Sequence, residues 1–203
     1  MSPNKFRKLK REFYKRNLLE VTKNLLGKIF VVQGEHFKLS GKIVEVEAYH
    51  GEHDEASHAF RGKTKRNEVM FWEGGYLYVY FTYGAHYCAN VVVGKKDEGQ
   101  AVLIRAIEPM EGIDKMKINR FEGRSIKDMS LLNLTNGPGK VCKAFGLNKM
   151  HNGIDLTKNH IFILNQPNLK KNEIGISRRI GISKSVDLKW RFFIKDNPYI
   201  SRK

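Results

Sequence analysis

Tyr76, Tyr78 and Tyr80 alternate with Leu77, Val79 and Phe81, so an extended chain from Tyr76 to Tyr83 carries tyrosine on one side and apolar groups on the other. A strand this two-faced needs partners along its edges and a core against its apolar side. The partners are present. Lys28–Val32 and Gly41–Glu47, rich in β-branched residues and separated by a polar stretch, read as a hairpin. Tyr87–Val93 and Ala101–Ile107 continue the sheet through a turn at Lys95–Gly99, and His160–Leu164, Ile174–Ile176 and Arg191–Ile194 read as further short strands. Helices are few. Asn17 is placed to cap one, with Glu20 three residues on, an apolar stripe at Leu18, Val21 and Leu25, and Gly27 at the stop. Asn136-Gly137-Pro138-Gly139-Lys140 opens a second, with Val141, Phe145 and Leu147 as its apolar members. Residues 48 to 75 lack sustained periodicity and read as a long connection that carries function, and Pro109–Leu132 is charged and poorly periodic.

A chain of 203 residues, 41% of them hydrophobic, has material for one sizeable core. The expected fold is therefore α+β: a single compact domain on a curved, largely antiparallel sheet flanked by helices, spanning residues 17–203. Ahead of it, residues 1–16 are dominated by Lys and Arg and read as a mobile basic arm that touches phosphates.

Charge narrows the partner. Against 21 acidic residues stand 37 Lys and Arg, a formal net charge of +16. Such a cation accumulates on polyanions because neutralising phosphates releases counterions, which points to nucleic acid or an anionic membrane surface. No apolar run approaches the roughly 18 to 20 residues of a spanning helix, so nucleic acid is favoured. Cys88 and Cys142 form no CxxC pair and sit in no His-Cys cluster, which argues against a metal site and for two buried thiols in a reducing, intracellular compartment.

Three groupings could carry chemistry. Glu45 and Glu47 share a face of one strand end. Those residues alone allow two readings, a solvated outward face or a working carboxylate. A glutamate with an ordinary pKa of about 4.3 is ionised at neutral pH, and it can deprotonate a water and stabilise an oxocarbenium-like sugar. The second grouping is aromatic: Tyr49, His58, Tyr78, Tyr80, Tyr83, His86 and Tyr87 crowd two short segments. Such rings either stack on a base or simply cover a sheet face, the latter being the better reading of Tyr78. Third, Asn136 to Lys140 suits one phosphate, or is a plain helix-opening turn; it lacks the spacing of a nucleotide-hydrolysing loop.

Taken together, EVEAYHGEHDEASHAFRGKTKRNEVMF (45–71), GYLYVYFTYGAHYCANVV (75–92), AVLIRAIEPMEG (101–112), NGPGKVCKAFGL (136–147) and RRIGIS (178–183) closely resemble the alkyladenine (3-methyladenine) DNA glycosylase family, in order and through nearly the whole chain. The resemblance implies base-excision repair: base flipping from double-stranded DNA and hydrolysis of the N-glycosidic bond of alkylated or deaminated purines; no cofactor is expected, and a monomer is the default because one lesion needs one pocket. It implies Glu47 as general base, Arg105 and the Ile180 backbone carbonyl as water-positioning groups, and Tyr49, His58 and Tyr80 as residues that sandwich the flipped base. Asn90 matches the side chain near the purine 2-position, Tyr83 the wedge that fills the vacated stack, and Lys140 a phosphate contact. Ala85 and His86 beside the wedge are smaller or different from the flanking residues of vertebrate members, and the loop His58–Met70 is one residue shorter, so lesion range does not transfer directly.

Two rivals stay open. A bifunctional enzyme with lyase activity needs an amine nucleophile in the pocket, and the motif match puts no lysine there. A nonenzymatic nucleic-acid-binding module on the same fold is disfavoured by the intact Glu47 and Arg105.

Overall fold

The computed structural model describes residues 7–82, 84–121 and 130–202. Among these, eight strands join into one sheet: β1 (Ile29–Gln33), β2 (Lys38–Tyr49), β3 (Leu77–Thr82), β4 (His86–Val93), β5 (Gln100–Glu111), β6 (Ile161–Leu164), β7 (Ile174–Ser177) and β8 (Arg191–Ile194). Neighbours run β3-β4-β5-β2-β1-β6, β8 pairs with both β2 and β7, and every pairing is antiparallel. Helices α1 (Arg11–Tyr14), α2 (Leu18–Leu25), α3 (Ile113–Phe121) and α4 (Pro138–Ala144) complete an α+β domain on an open antiparallel sheet, as the strand pattern requires.

Local signals act where expected. The Asn17 side chain accepts from the backbone N–H groups of Leu19 and Glu20, a cap of about 1 kcal/mol, and Leu18, Val21 and Leu25 are buried. Gly27, at φ 80°, takes the left-handed conformation that ends the helix and turns the chain into β1. The main core lies on one face of the sheet, where α2 and α4 meet Val46, Ala48, Leu77, Val79, Val91, Val102 and Ile104. By the two-residue period, Tyr78, Tyr80, Cys88, Asn90, Leu103 and Arg105 go to the opposite face.

β2 organises that opposite face. Its residues 38–42 pair with β1, its residues Glu45–Glu47 pair with β8, and its other edge pairs with β5. Register shifts at Ile43/Glu45 and Glu45/Val46 mark a bulge where the strand changes partners. Ile43 and Val46 both belong to the main core, whereas Val44 packs with Ala106, Phe193 and Ile200. The bulge therefore puts two successive residues, Val44 and Glu45, on the outer face, and brings Glu45 into phase with Glu47.

Two expectations are corrected. Pro109–Phe121 is more regular than its pattern suggests: β5 runs to Glu111, and Ile113–Phe121 is helical with Met116 wholly buried, while residues 122–129 lie outside the described residues. One buried residue leaves no legible stripe, and tertiary packing overrides weak propensity. Nor do residues 8–16 stand off as a mobile arm. Leu9 donates its N–H to the Ile163 carbonyl, Tyr14 is fully buried, and Arg11 ties Gly74 to Asp155. Residues 1–6 lie outside the described residues.

Candidate active site

The outer face of the sheet carries a cleft of about 480 Å³. Strand β3 contributes Tyr78 and Tyr80, β4 Cys88 and Asn90, β5 Leu103 and Arg105, and the end of β2 Tyr49. The connection after β2 supplies His58 and Met70, and residues 180–184 form the remaining wall. Gly181, at φ 77°, makes the left-handed turn by which that wall enters the cleft.

Behind the cleft sits a largely buried polar network. Glu47 is fully buried and does not itself line the cleft, although Tyr49, Arg105 and Ile180, which hold it, do. Its Oε1 accepts the Ile180 N–H at 2.8 Å; its Oε2 accepts the Tyr49 hydroxyl at 2.9 Å and Arg105 Nη1 at 3.2 Å. A carboxylate offers about four lone-pair sites, so one remains, on the oxygen beside Ile180. Arg105 Nη1 also reaches the Ile180 carbonyl at 3.5 Å, which gathers carboxylate, guanidinium and carbonyl at one spot. Burial pushes the Glu47 carboxyl above the ordinary carboxylate range, and the nearby Glu45 adds to this; Arg105, the Ile180 N–H and Tyr49 pull it part of the way back. Burial opposes the charge on Arg105, but Glu47 and Glu45 more than compensate and hold it protonated.

Glu45 does different work. Its Oε1 accepts from Arg105 Nε, Arg191 Nε and the Ser201 hydroxyl, and its Oε2 from the Ser201 N–H. Every one of these donors points into a site without exposure, so Glu45 is a structural anchor that fixes the direction of Arg105.

The aromatic residues expected to meet a base are gathered here. His58 Nδ1 lies 3.1 Å from the Tyr78 hydroxyl, and the His58 and Tyr80 rings meet edge-on at 4.4 Å. Burial and the charge of Arg66 keep the His58 imidazole below its usual pKa, so it is neutral at physiological pH. Asn90 donates to the Tyr78 carbonyl at 3.3 Å. Tyr78 is both a buried face-covering residue and part of the cleft wall. Tyr83 lies outside the described residues. Lys140 is not on the lining; its Nζ donates to Asn136 Oδ1 at 2.7 Å, in the first turn of α4, whose Pro138 does reach the cleft.

Sequence reasoning missed several members. Cys88, Leu103 and Met70 face the cleft only because of strand phase and chain return. Lys184 also stands on the cleft wall, 3.6 Å from Glu55 and two-thirds exposed, which corrects the expectation that no lysine is near. Asp54 and Arg179, with wholly buried side chains, form a two-pronged ion pair whose guanidinium also donates to the Ala48 carbonyl and lies 4.6 Å from the centre of the Tyr49 ring. Their separation of 125 residues leaves no spacing to read. Among the described residues there is no group of three or more His, Cys, Asp or Glu that could hold a metal, and no helix is long and apolar enough to cross a membrane.

Residues 12–198 match the family model described as methylpurine-DNA glycosylase. Among similar curated proteins are three provisionally named 3-methyladenine DNA glycosylases. That of Clostridium novyi is 48% identical, covering 97% of this chain and all of its own length. Those of Clostridium botulinum and Alkaliphilus oremlandii are each 46% identical, over 96% and 97% of this chain and 99% and 100% of theirs. The class is that of the DNA glycosylases, enzymes of DNA repair. Within it, this chain belongs to the methylpurine-DNA glycosylase family.

Proposed function

We propose that the protein is a monofunctional glycosylase that flips alkylated or deaminated purines (3-methyladenine, hypoxanthine and ethenoadenine as the representative class) out of double-stranded DNA and hydrolyses their N-glycosidic bond, leaving an abasic site. The observation that carries this reading is the convergence of Glu47 Oε1, Arg105 Nη1 and the Ile180 carbonyl at the back of an aromatic-lined cleft. A water accepted there gives its proton to Glu47 as it attacks the sugar, and the carboxylate stabilises the positive charge that develops on the ring. A base whose pKa is raised by burial is better matched to proton abstraction near neutrality than an ordinary carboxylate.

In this reading Tyr49 stacks on one side of the extruded base and His58 with Tyr80 on the other. Asn90 crowds the purine 2-position, Tyr83 fills the gap left in the duplex, and Lys140 contacts a phosphate. The domain acts as a monomer on one lesion, needs no cofactor, and works in the DNA-bearing compartment of the cell, with the basic N-terminal segment adding phosphate contacts.

The decisive experiment measures base release from duplexes carrying hypoxanthine or 3-methyladenine. Release of free base with an abasic product supports the proposal; tight binding without release replaces it with a nonenzymatic DNA-binding role. Borohydride trapping belongs in the same experiment because Lys184 is on the cleft wall, and a covalent adduct lost in Lys184→Gln would overturn the monofunctional reading.

A further inference from the structure

Tyr49 lines the cleft, but Arg179 does not: its side chain has no exposure, and its guanidinium lies over the ring at 4.6 Å from the centre, so that a cation buried in the protein occupies one face of a ring that borders the cleft. A second ring, Trp190, flanks the same guanidinium at 5.5 Å. Asp54 grips both terminal nitrogens, at 2.5 and 2.7 Å, and the Ala48 carbonyl takes a further hydrogen bond. Among the described residues the buried Arg179 Nε–H has no hydrogen-bond acceptor, so this placement sacrifices a hydrogen bond where the cation lies between two rings. One residue further on, the Ile180 N–H meets Glu47, so the guanidinium is tied to the site through the adjoining backbone.

We infer that Arg179 is a specificity-determining residue which, by occupying one face of Tyr49, lowers that ring's attraction for cationic bases and weights the cleft toward neutral lesions. The reasoning is electrostatic. An aromatic ring attracts a cation through the negative potential of its faces, and a cation already seated on one face draws that potential away from the other. A neutral base stacks largely through dispersion and burial, which a charge behind the ring leaves alone. Asp54 tempers the effect by compensating the charge without removing it from the ring. This inference rests on the proposed reading of Tyr49 as a base-stacking residue.

The test compares single-turnover release of 3-methyladenine, a cationic base in the nucleotide, with that of hypoxanthine, a neutral one, in otherwise identical duplexes. The double variant Arg179→Gln/Asp54→Asn removes both charges and keeps polar groups of similar shape. It is expected to raise the ratio of 3-methyladenine to hypoxanthine release ~3- to 10-fold, the scale of one partly desolvated cation–ring contact. Asp54→Asn alone leaves the cation uncompensated and should move the ratio the other way, so it carries the test by its sign if the double variant does not fold. Arg179→Lys, which keeps the charge, should hold the ratio near the parent's even where both rates fall. A merely structural role for Arg179 would lower both rates by the same factor in every variant, and that result would overturn the inference. A parent protein that releases neither base would instead bring down the glycosylase reading on which it depends.

Discussion

Glu45 and Glu47 lie two residues apart, are both fully buried and both bind Arg105, yet their loss should weigh very differently on stability. Glu45→Gln keeps an oxygen at the Oε1 position but replaces the anionic acceptor of the bonds from Arg105 and Arg191 by a neutral amide, a penalty of about 1 kcal/mol for each. The new amide nitrogen takes the Oε2 position and confronts the Ser201 N–H, stranding a donor at about 1–3 kcal/mol. The sum, about 3–5 kcal/mol, agrees with the usual penalty for breaking a buried ion pair from one side. For a domain of this size it lowers Tm by roughly 6–20 °C. Glu47→Gln likewise strands the Ile180 N–H, but it also relieves the burial of a carboxylate that its surroundings hold above the usual pKa, so its net cost should be about 0–2 kcal/mol. Urea unfolding of both variants and the parent at pH 7 measures the difference. A Glu45→Gln protein within about 1 kcal/mol of the parent, or a Glu47→Gln protein the less stable of the two, would refute the division between anchor and base.

Further outcomes follow from the same geometry. Glu47→Gln should lower single-turnover excision by about 10² or more while lesion DNA still binds, and placing the lesion opposite a gap should not restore it, whereas it should partly rescue Tyr83→Ala. Because the folded-state pKa of Glu47 is raised, its neutral form stabilises the fold at low pH and that contribution is lost as pH rises through the raised value; excision should gain one ionisation over the same window, above pH 4.5, and Glu47→Gln should abolish both dependences in a pH series of melts and rates. Asn90→Ser should increase release of guanine-derived bases relative to hypoxanthine, and an unchanged ratio would remove Asn90 from the specificity assignment. Deleting residues 1–6 should shallow the log–log salt dependence of DNA binding, by about 0.9 for each phosphate that the segment neutralises, with excision intact; deleting 1–16 also takes Tyr14 from the core and Arg11 from Asp155, and should destabilise the protein by about 3–5 kcal/mol in urea.

What could be read from the chain, and what could not, divides along the distance over which each signal acts. The cap at Asn17, the stripe of α2, the alternation in β3 and the shared side of Glu45 and Glu47 depend on neighbours a few residues away, and the structure keeps all of them. The resemblance carried the site further, since Tyr49, His58, Tyr80, Asn90, Arg105 and Ile180 all reach one cleft. Helix α3 escaped because only Met116 of its nine residues is buried, and the packing of residues 8–16 because basic composition conceals one buried tyrosine. The Asp54–Arg179 pair and the clasp of Ser201 on Glu45 exist only through chain returns of 125 and 156 residues, for which no local pattern stands.

The change of partner along β2 has a consequence for when activity can first arise. The strand that carries Glu45 and Glu47 finds β1 just upstream of it, but β8 with Arg191, and Ile180 and Ser201, which complete the hold on the two carboxylates, lie more than 130 positions downstream. Closing such loops is slow, and pairings of high contact order accumulate late in folding. During synthesis the N-terminal hairpin can form while Glu45 and Glu47 still lack Arg191, Ser201 and the Ile180 N–H, and at that stage the two carboxylates are short of one cation and the site is open to water. A ribosome that stops short of residue 201 therefore releases a chain with most of its core but without the clasp of Ser201 on Glu45, so that the cleft gains its full polar backing only with the last of these long-range contacts.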